Sequence, residues 1–169
     1  GKMLAVALSS DGELCATSAT DERATDVRVW NVDSGELRLP PLPHNNTVSV
    51  LAFSPDGEIL AAGDYDGVVL LWDISTGALI GKPLEQRDIV TCLSFSRDGT
   101  RLVVGTASDW NHDPQARLWN VSTQKPIGEP MRHGNYVRRV VFSPNGDRVL
   151  TASSDATIQI WDTQTAKPI

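Results

Sequence analysis

Positive charge is scarce in this chain and nowhere concentrated: 15 Lys and Arg stand against 21 Asp and Glu in 169 residues, for a net charge of −6. Without a run of Lys or Arg there is no sequence-independent grip on phosphate or on an anionic surface, so neither nucleic acid nor a membrane is an expected partner. No apolar segment reaches the roughly 18 residues of a spanning helix, and the N-terminus has no secretory pattern; the chain reads as soluble and cytoplasmic. The two cysteines, Cys15 and Cys92, fall on apolar strand-like segments and read as core thiols in a reducing compartment, since two do not make a disulfide framework. A glycine-rich phosphate loop is missing, as is any His or Cys pair at metal-ligand spacing, so no cofactor and no metal are implied. Disorder is excluded from the other side, because a hydrophobic content of 40% is enough to fill a core.

What the chain does have is one unit written four times. Its clearest copy is VRRVVFSPNGDRVLTASSDATIQIWD, residues 137–162. Ser143-Pro144-Asn145-Gly146 sets φ near −65° at Pro and puts Gly at the left-handed position that closes a hairpin. Thr157-Ile158-Gln159-Ile160-Trp161 alternates with period two, turning Ile158 and Ile160 to one face of a strand. The turn glycines Gly12, Gly57, Gly99 and Gly146 are 45, 42 and 47 residues apart, and the closing tryptophans Trp30, Trp72, Trp119 and Trp161 are 42, 47 and 42 apart. From Gly to Trp the second and fourth copies run 15 residues, the first 18 and the third 20. The surplus lengthens the loop between the second and third strands, around Thr20 to Thr25 and around Trp110 and His112.

Each copy adds a return segment, and these hold Pro40, Pro41, Pro43, Pro83, Pro126, Pro130 and Pro168. Proline removes a ladder donor, so the fourth strand of each unit is expected at an outer edge. The first strands, Val48 to Phe53, Val90 to Phe95 and Val137 to Phe142, are near-continuous apolar runs and are expected innermost, buried on both faces. The fold class expected is therefore all-β, with four-stranded antiparallel blades at about 3–43, 47–85, 89–131 and 136–169, forming one domain over 1–169.

Blades at this period, with SPDG-like turns and a closing Trp-Asp or Trp-Asn, resemble the WD-repeat β-propeller family over nearly the whole chain. The resemblance implies a buried hydrogen-bonded chain of Trp, Ser or Thr, Asp and His in each blade. In the fourth copy it places Trp161, Ser153, Asp155 and His133 in those roles. The second copy has Trp72, Asp66 and His44, with Asp64 in the hydroxyl slot. The third has Trp119, Thr106 and Asp113, with Gln86 in place of His, and the first keeps Trp30 but has Ala19 and Ala24 in the Ser and Asp slots. Blade four is accordingly expected to be the most rigid and blade one the least.

No set of residues is arranged for catalysis, and an enzyme is not expected. His44 and His133 are explained by the network, Asp11-Gly12, Asp56-Gly57 and Asp98-Gly99 by turns, and Ser9, Ser54, Ser96 and Ser143 have no adjacent base. Surface remains. In a propeller of this family the loops between second and third strands share one end with those entering each first strand, which gathers Arg23, Tyr65, Trp110, His112, Tyr136 and Arg138, residue types common in binding hot spots. The expected function is a non-catalytic scaffold that binds a protein or peptide there; the alternative is a sensor or regulatory arm of a larger signalling ATPase or kinase. Four blades are few for a ring in this family. The chain is expected to be part of a longer propeller or, as the second reading, to pair head to tail with another copy into an eight-bladed ring; a self-closed ring of four comes third.

Overall fold

The turn that opens every copy forms for the reason its residues predict. Gly12, Gly57, Gly99 and Gly146 have φ of 79°, 75°, 70° and 75°, where a Cβ would crowd the backbone. The hydroxyls of Ser9, Ser54, Ser96 and Ser143 donate to the side chains of Asp11, Asp56, Asp98 and Asn145, and each glycine amide donates back to the serine carbonyl. The Ser96 hydroxyl, followed by the Thr100 amide, holds the Asp98 carboxyl down to about 2.

A computed structural model describes residues 2–20, 25–86, 88–108 and 114–169. The first turn joins β1 (Lys2–Leu8) to β2 (Leu14–Thr20), which pairs with β3 (Val27–Asn31). The second unit comprises β4 (Val48–Phe53), β5 (Ile59–Asp64), β6 (Val68–Asp73) and the short β7 (Leu84–Glu85). The third comprises β8 (Ile89–Phe95), β9 (Arg101–Ala107), β10 (Gln115–Asn120) and β11 (Pro126–Arg132). The fourth comprises β12 (Val137–Phe142), β13 (Arg148–Ser153) and β14 (Ile158–Asp162). Each unit is an antiparallel meander, and the four sheets follow chain order. This is the all-β architecture of four propeller blades.

Two departures from the expected blade have physical causes. Blades one and four have three regular strands among the described residues; their return segments touch β3 and β14 only through isolated bridges such as Val27 with Leu42 and Trp161 with Pro168. Pro40, Pro41 and Pro43 cannot donate, so a continuous ladder is impossible around Leu42. The first strands are not buried on both faces either. In β4 only Val48 and Leu51 are fully buried, and in β12 only Val137 and Val140, while Arg138 and Arg139 are exposed. The cause is a register shift near the start of every first strand, between Met3 and Ala5, Val48 and Val50, Val90 and Cys92, and Val137 and Arg139. Such a bulge breaks the alternation, and the side chains past it that do not face a neighbouring blade look into the open centre.

Three separate cores hold the array together, each between consecutive blades. Ala16, Val27 and Val29 meet Val48, Leu51 and Leu60. Ala61, Val69 and Leu71 meet Val90, Leu102 and Trp119. Val103, Ala116 and Leu118 meet Val137, Val149 and Trp161. The innermost strands pack in sequence, β1 on β4, β4 on β8 and β8 on β12, and no comparable packing joins β12 to β1 among the described residues. The array is open. Gly63 and Gly105 show how closely consecutive blades approach: a Cβ on the first would lie 2.5 Å from Val90 Cγ1, and on the second 2.9 Å from Val137 Cγ1.

Candidate functional site

The tryptophans close each blade by reaching across to the second strand. In blade four, Trp161 lies opposite Val149, and its Nε1 donates to Thr151 Oγ1 at 2.8 Å. Thr151 Oγ1 is also 2.8 Å from His133 Nε2, and His133 Nδ1 faces Asp155 Oδ2 at 3.7 Å. With Asp155 on the Nδ1 side, the proton belongs on Nδ1; the hydrogen-bonded chain runs from indole N–H to hydroxyl to imidazole, and the carboxylate stands just beyond hydrogen-bond distance of Nδ1. Burial pulls the His133 pKa down, and Asp155 opposes that pull. Asp155 itself is held well below the carboxylate range, first by the Thr157 hydroxyl and then by the amides of Thr157 and Gly134.

The hydroxyl in this chain is Thr151 and not Ser153. Ser153 donates instead to Asn135 O at 2.8 Å and accepts from the Asp155 amide at 3.2 Å, tying the entry loop to the β13–β14 turn. Being two residues further along the strand, it stands roughly 6–7 Å from Thr151 and out of reach of the indole. The same displacement runs through the other blades. Thr106 exchanges bonds with the Gln115 backbone, not with Trp119. Asp64 accepts from the amides of Asp66 and Val68, and desolvation raises its pKa. Asp66 accepts from Asn46 Nδ2 at 2.6 Å, so it does not orient His44, whose Nδ1 has no partner.

At the position that matters, blade one has Thr17, blade two Ala62 and blade three Val104. The consequences differ accordingly. Trp30 Nε1 donates to Thr17 Oγ1 at 2.9 Å, so blade one, despite Ala19, keeps half of the chain. In blade two Ala62 leaves room for Trp72 Nε1 to donate directly to His44 Nε2 at 3.2 Å, and burial pushes the His44 pKa down to about 4. Blade three, with Val104 and Gln86, leaves Trp119 Nε1 and both polar atoms of the Gln86 side chain buried without a partner. Asp113 lies outside the described residues.

The end of the array that carries the β5–β6 and β13–β14 turns presents the candidate binding residues. Tyr65 sits on the β5–β6 turn and is 48% exposed. Its amide donates to Thr47 O, and the Ser154 amide donates in the same way to Tyr136 O, which ties each turn to the segment entering its first strand. Arg138 projects from β12 with its Nε donating to Ser154 Oγ at 2.6 Å and its guanidinium 5.4 Å from the Tyr136 ring centre. Tyr136 is half-buried beneath it. Arg138 and Tyr136 are therefore brought together, while Tyr65 belongs to another blade at the same end. Arg23, Trp110 and His112 lie outside the described residues. Among the described residues no group of three or more His, Cys, Asp or Glu could hold a metal ion, and no helix is long and apolar enough to cross a membrane.

Comparison with known proteins agrees with the repeat geometry. Residues 39–73, 79–120 and 124–162 match the family described as WD domain, G-beta repeat. WD repeat-containing protein 90 from Homo sapiens is 38% identical over 69 residues, which cover 38% of this chain and 4% of that protein. Periodic tryptophan protein 2 homolog from Neurospora crassa is 34% identical over 61 residues, covering 36% of this chain and 7% of that protein. Small ribosomal subunit protein RACK1y from Oryza sativa subsp. japonica is 44% identical over 45 residues, covering 27% of this chain and 13% of that protein. The chain thus matches only a small part of each relative's length. The family model spans more than half of the chain, and every matched segment ends on or just after a Trp that closes a blade: the chain belongs to the WD domain, G-beta repeat family.

Proposed function

We propose that the chain is a non-catalytic interaction module that binds a protein or peptide at the end bearing Tyr65, Tyr136 and Arg138. The observation that carries this reading is the Tyr136–Arg138–Ser154 arrangement, in which an exposed guanidinium is held by a ring beneath it and a hydroxyl beside it. An arginine whose orientation is fixed before binding loses little entropy when it pairs with a partner carboxylate, which is why such residues dominate binding energies. Arg139 is exposed next to it, so this is a cationic spot on a chain whose net charge is −6. The partner segment that fits is acidic. The family assignment supports the scaffold role, and one relative's name describes a ribosomal subunit protein, which is a component of a larger assembly.

The test is a peptide array probed with the purified chain and with two variants. Arg138→Glu should lose the acidic peptides that the parent retains. Gln164→Ala, on an exposed turn at the opposite end of blade four, should keep them. Identical peptide sets for the parent and for Arg138→Glu, with both folded by circular dichroism, would sink the choice of site.

A further inference from the structure

Toward the turns that open each copy, at the end of the blades opposite Tyr136 and Arg138, a groove of about 460 Å³ runs from β1 across β4 to β8. Its walls in blades two and three are Ala52 and Phe53, Pro55 of the following turn, and Ser94 and Phe95, all half-buried. A small side chain next to the end of each of these strands leaves the groove open: Ala7, Ala52 and Ser94 share one register position, where blade four has Val141. β4 and β8 also end their sheets, so the inner edge of each has no neighbouring strand among the described residues. Such an edge offers backbone donors and acceptors beside the aromatic walls, a combination that suits a stretch of polypeptide.

The β4–β5 turn borders a second cleft, of about 310 Å³. Its Ser54-Pro55 half lies on the groove and its Asp56-Gly57-Glu58 half on the cleft. Three carboxylates line the cleft, Asp56, Glu58 and Asp73, against one guanidinium, Arg38. Hydrogen bonds led by the Ser54 and Ser75 hydroxyls hold Asp56 and Asp73 below the usual carboxylate range, so both stay ionised. The rim of the groove continues this character. Residues 9–13, 54–58 and 96–100 carry Asp11, Glu13, Asp56, Glu58 and Asp98 against Arg97. These turns stand side by side: Ser10 Oγ donates to Pro55 O, and a Cβ on Gly99 would lie 3.9 Å from Asp56 Oδ2.

We propose that this end of the array is a second docking surface whose occupant is a basic polypeptide segment: one apolar side chain enters the groove between β4 and β8, and a neighbouring Lys or Arg reaches the carboxylates of Asp56, Glu58 and Asp73. Charge complementarity fixes that choice. A segment with Asp or Glu beside the anchor meets its own sign of charge, and an anchor with no flanking charge leaves the carboxylates unused. The groove supplies area for the anchor, and the acidic rim selects what flanks it. The residues that carry the inference belong to blades two and three. It is independent of the binding reading above, which assigns an acidic segment to the opposite end.

Fluorescence anisotropy tests it with short labelled peptides of Gly and Ser that each hold one Phe or Leu and, at varied spacing, Lys or Arg. Matched sets carry Glu in place of the cations or Ala in place of the anchor. The basic, anchored peptides should bind best, and less tightly as salt is raised. Glu58 is exposed, and Glu58→Lys should weaken them about tenfold by reversing one charge of the cleft. Ala52→Leu fills the groove and should weaken them at least as much. Should it fail to fold, as checked by circular dichroism, Ser94→Leu replaces it. Gln164→Ala, on an exposed turn of blade four, should leave binding as it is. Equal binding of the Glu and Lys sets overturns the proposal. So does binding that survives either Glu58→Lys or the folded groove-filling variant, or no binding by any basic, anchored peptide.

Discussion

Replacing Thr151 by Val keeps the shape of the side chain and removes one oxygen, which in blade four serves both Trp161 and His133. Both are buried, at 5% and 6% exposure, and both bonds measure 2.8 Å. An unsatisfied buried donor or acceptor costs about 1–3 kcal/mol. Two orphaned groups, less the cost of burying the hydroxyl itself, give a loss of about 3 kcal/mol, or a fall in Tm of roughly 6–12 °C for a chain of this size. Ser153→Ala removes a bond to Asn135 O at the edge of the blade and should cost about 0.5–1 kcal/mol. Blade three supplies the converse, because Val104 already stands at the Thr151 position and Trp119 Nε1 has no partner. Val104→Thr should stabilise by about 1 kcal/mol. The assay is thermal unfolding at one fixed protein concentration, so that any association contributes equally to every variant. If Thr151→Val costs no more than Ser153→Ala, the assignment of the hydroxyl is wrong.

Acid should expose the buried imidazole of blade two. His44 has its pKa depressed to about 4 against 6.5 when solvated, so the unfolded chain binds the proton first and stability falls as pH drops from 6.5 toward 4. At pH 5 the loss is about 2 kcal/mol, and His44→Gln, which copies Gln86 of blade three, should flatten that part of a denaturation series. Ala156, at φ 67°, occupies the slot that Gly67 fills in blade two; Ala156→Gly should raise stability by about 1 kcal/mol in a urea titration. Gly105→Ala should cost several kcal/mol in the same titration, because its Cβ would meet Cys92 and Val137 at the junction of blades three and four.

The elements that could be read from sequence are those whose cause is local. The turns that open each copy depend on four consecutive residues, and residues 157–161 alternate without interruption, so both were legible. The burial of the first strands was not, because the bulge beside Val50, Cys92 and Arg139 has no turn residue to mark it; it is imposed where consecutive blades converge on the centre. The Trp161 partner was misplaced by two residues for a related reason. Thr151 and Ser153 share a face of one strand, and only the cross-strand pairing of Trp161 with Val149 shows which of them the indole reaches. The Trp30–Thr17 bond in blade one is hidden by Ala19, which occupies the slot that the family resemblance gives to the hydroxyl. The signal was nevertheless present, since Thr17 and Thr151 stand at the same register position.

The thiols offer the most direct view of whether consecutive blades are packed as described. Cys15 is half-buried on β2, at the register position where Leu60, Leu102 and Val149 of the other blades are completely buried. Cys92 sits inside the junction of blades three and four, its thiol pushed up to about 11 by burial, and serves as an internal reference that stays unreactive while the chain is folded. The measurement is the rate at which an aromatic disulfide reagent modifies each thiol along a urea series. Cys92 is expected to react only where unfolding opens the junction of blades three and four, with Cys15 reacting ahead of it. A Cys92 that reacts as fast as Cys15 in the absence of urea would contradict the account.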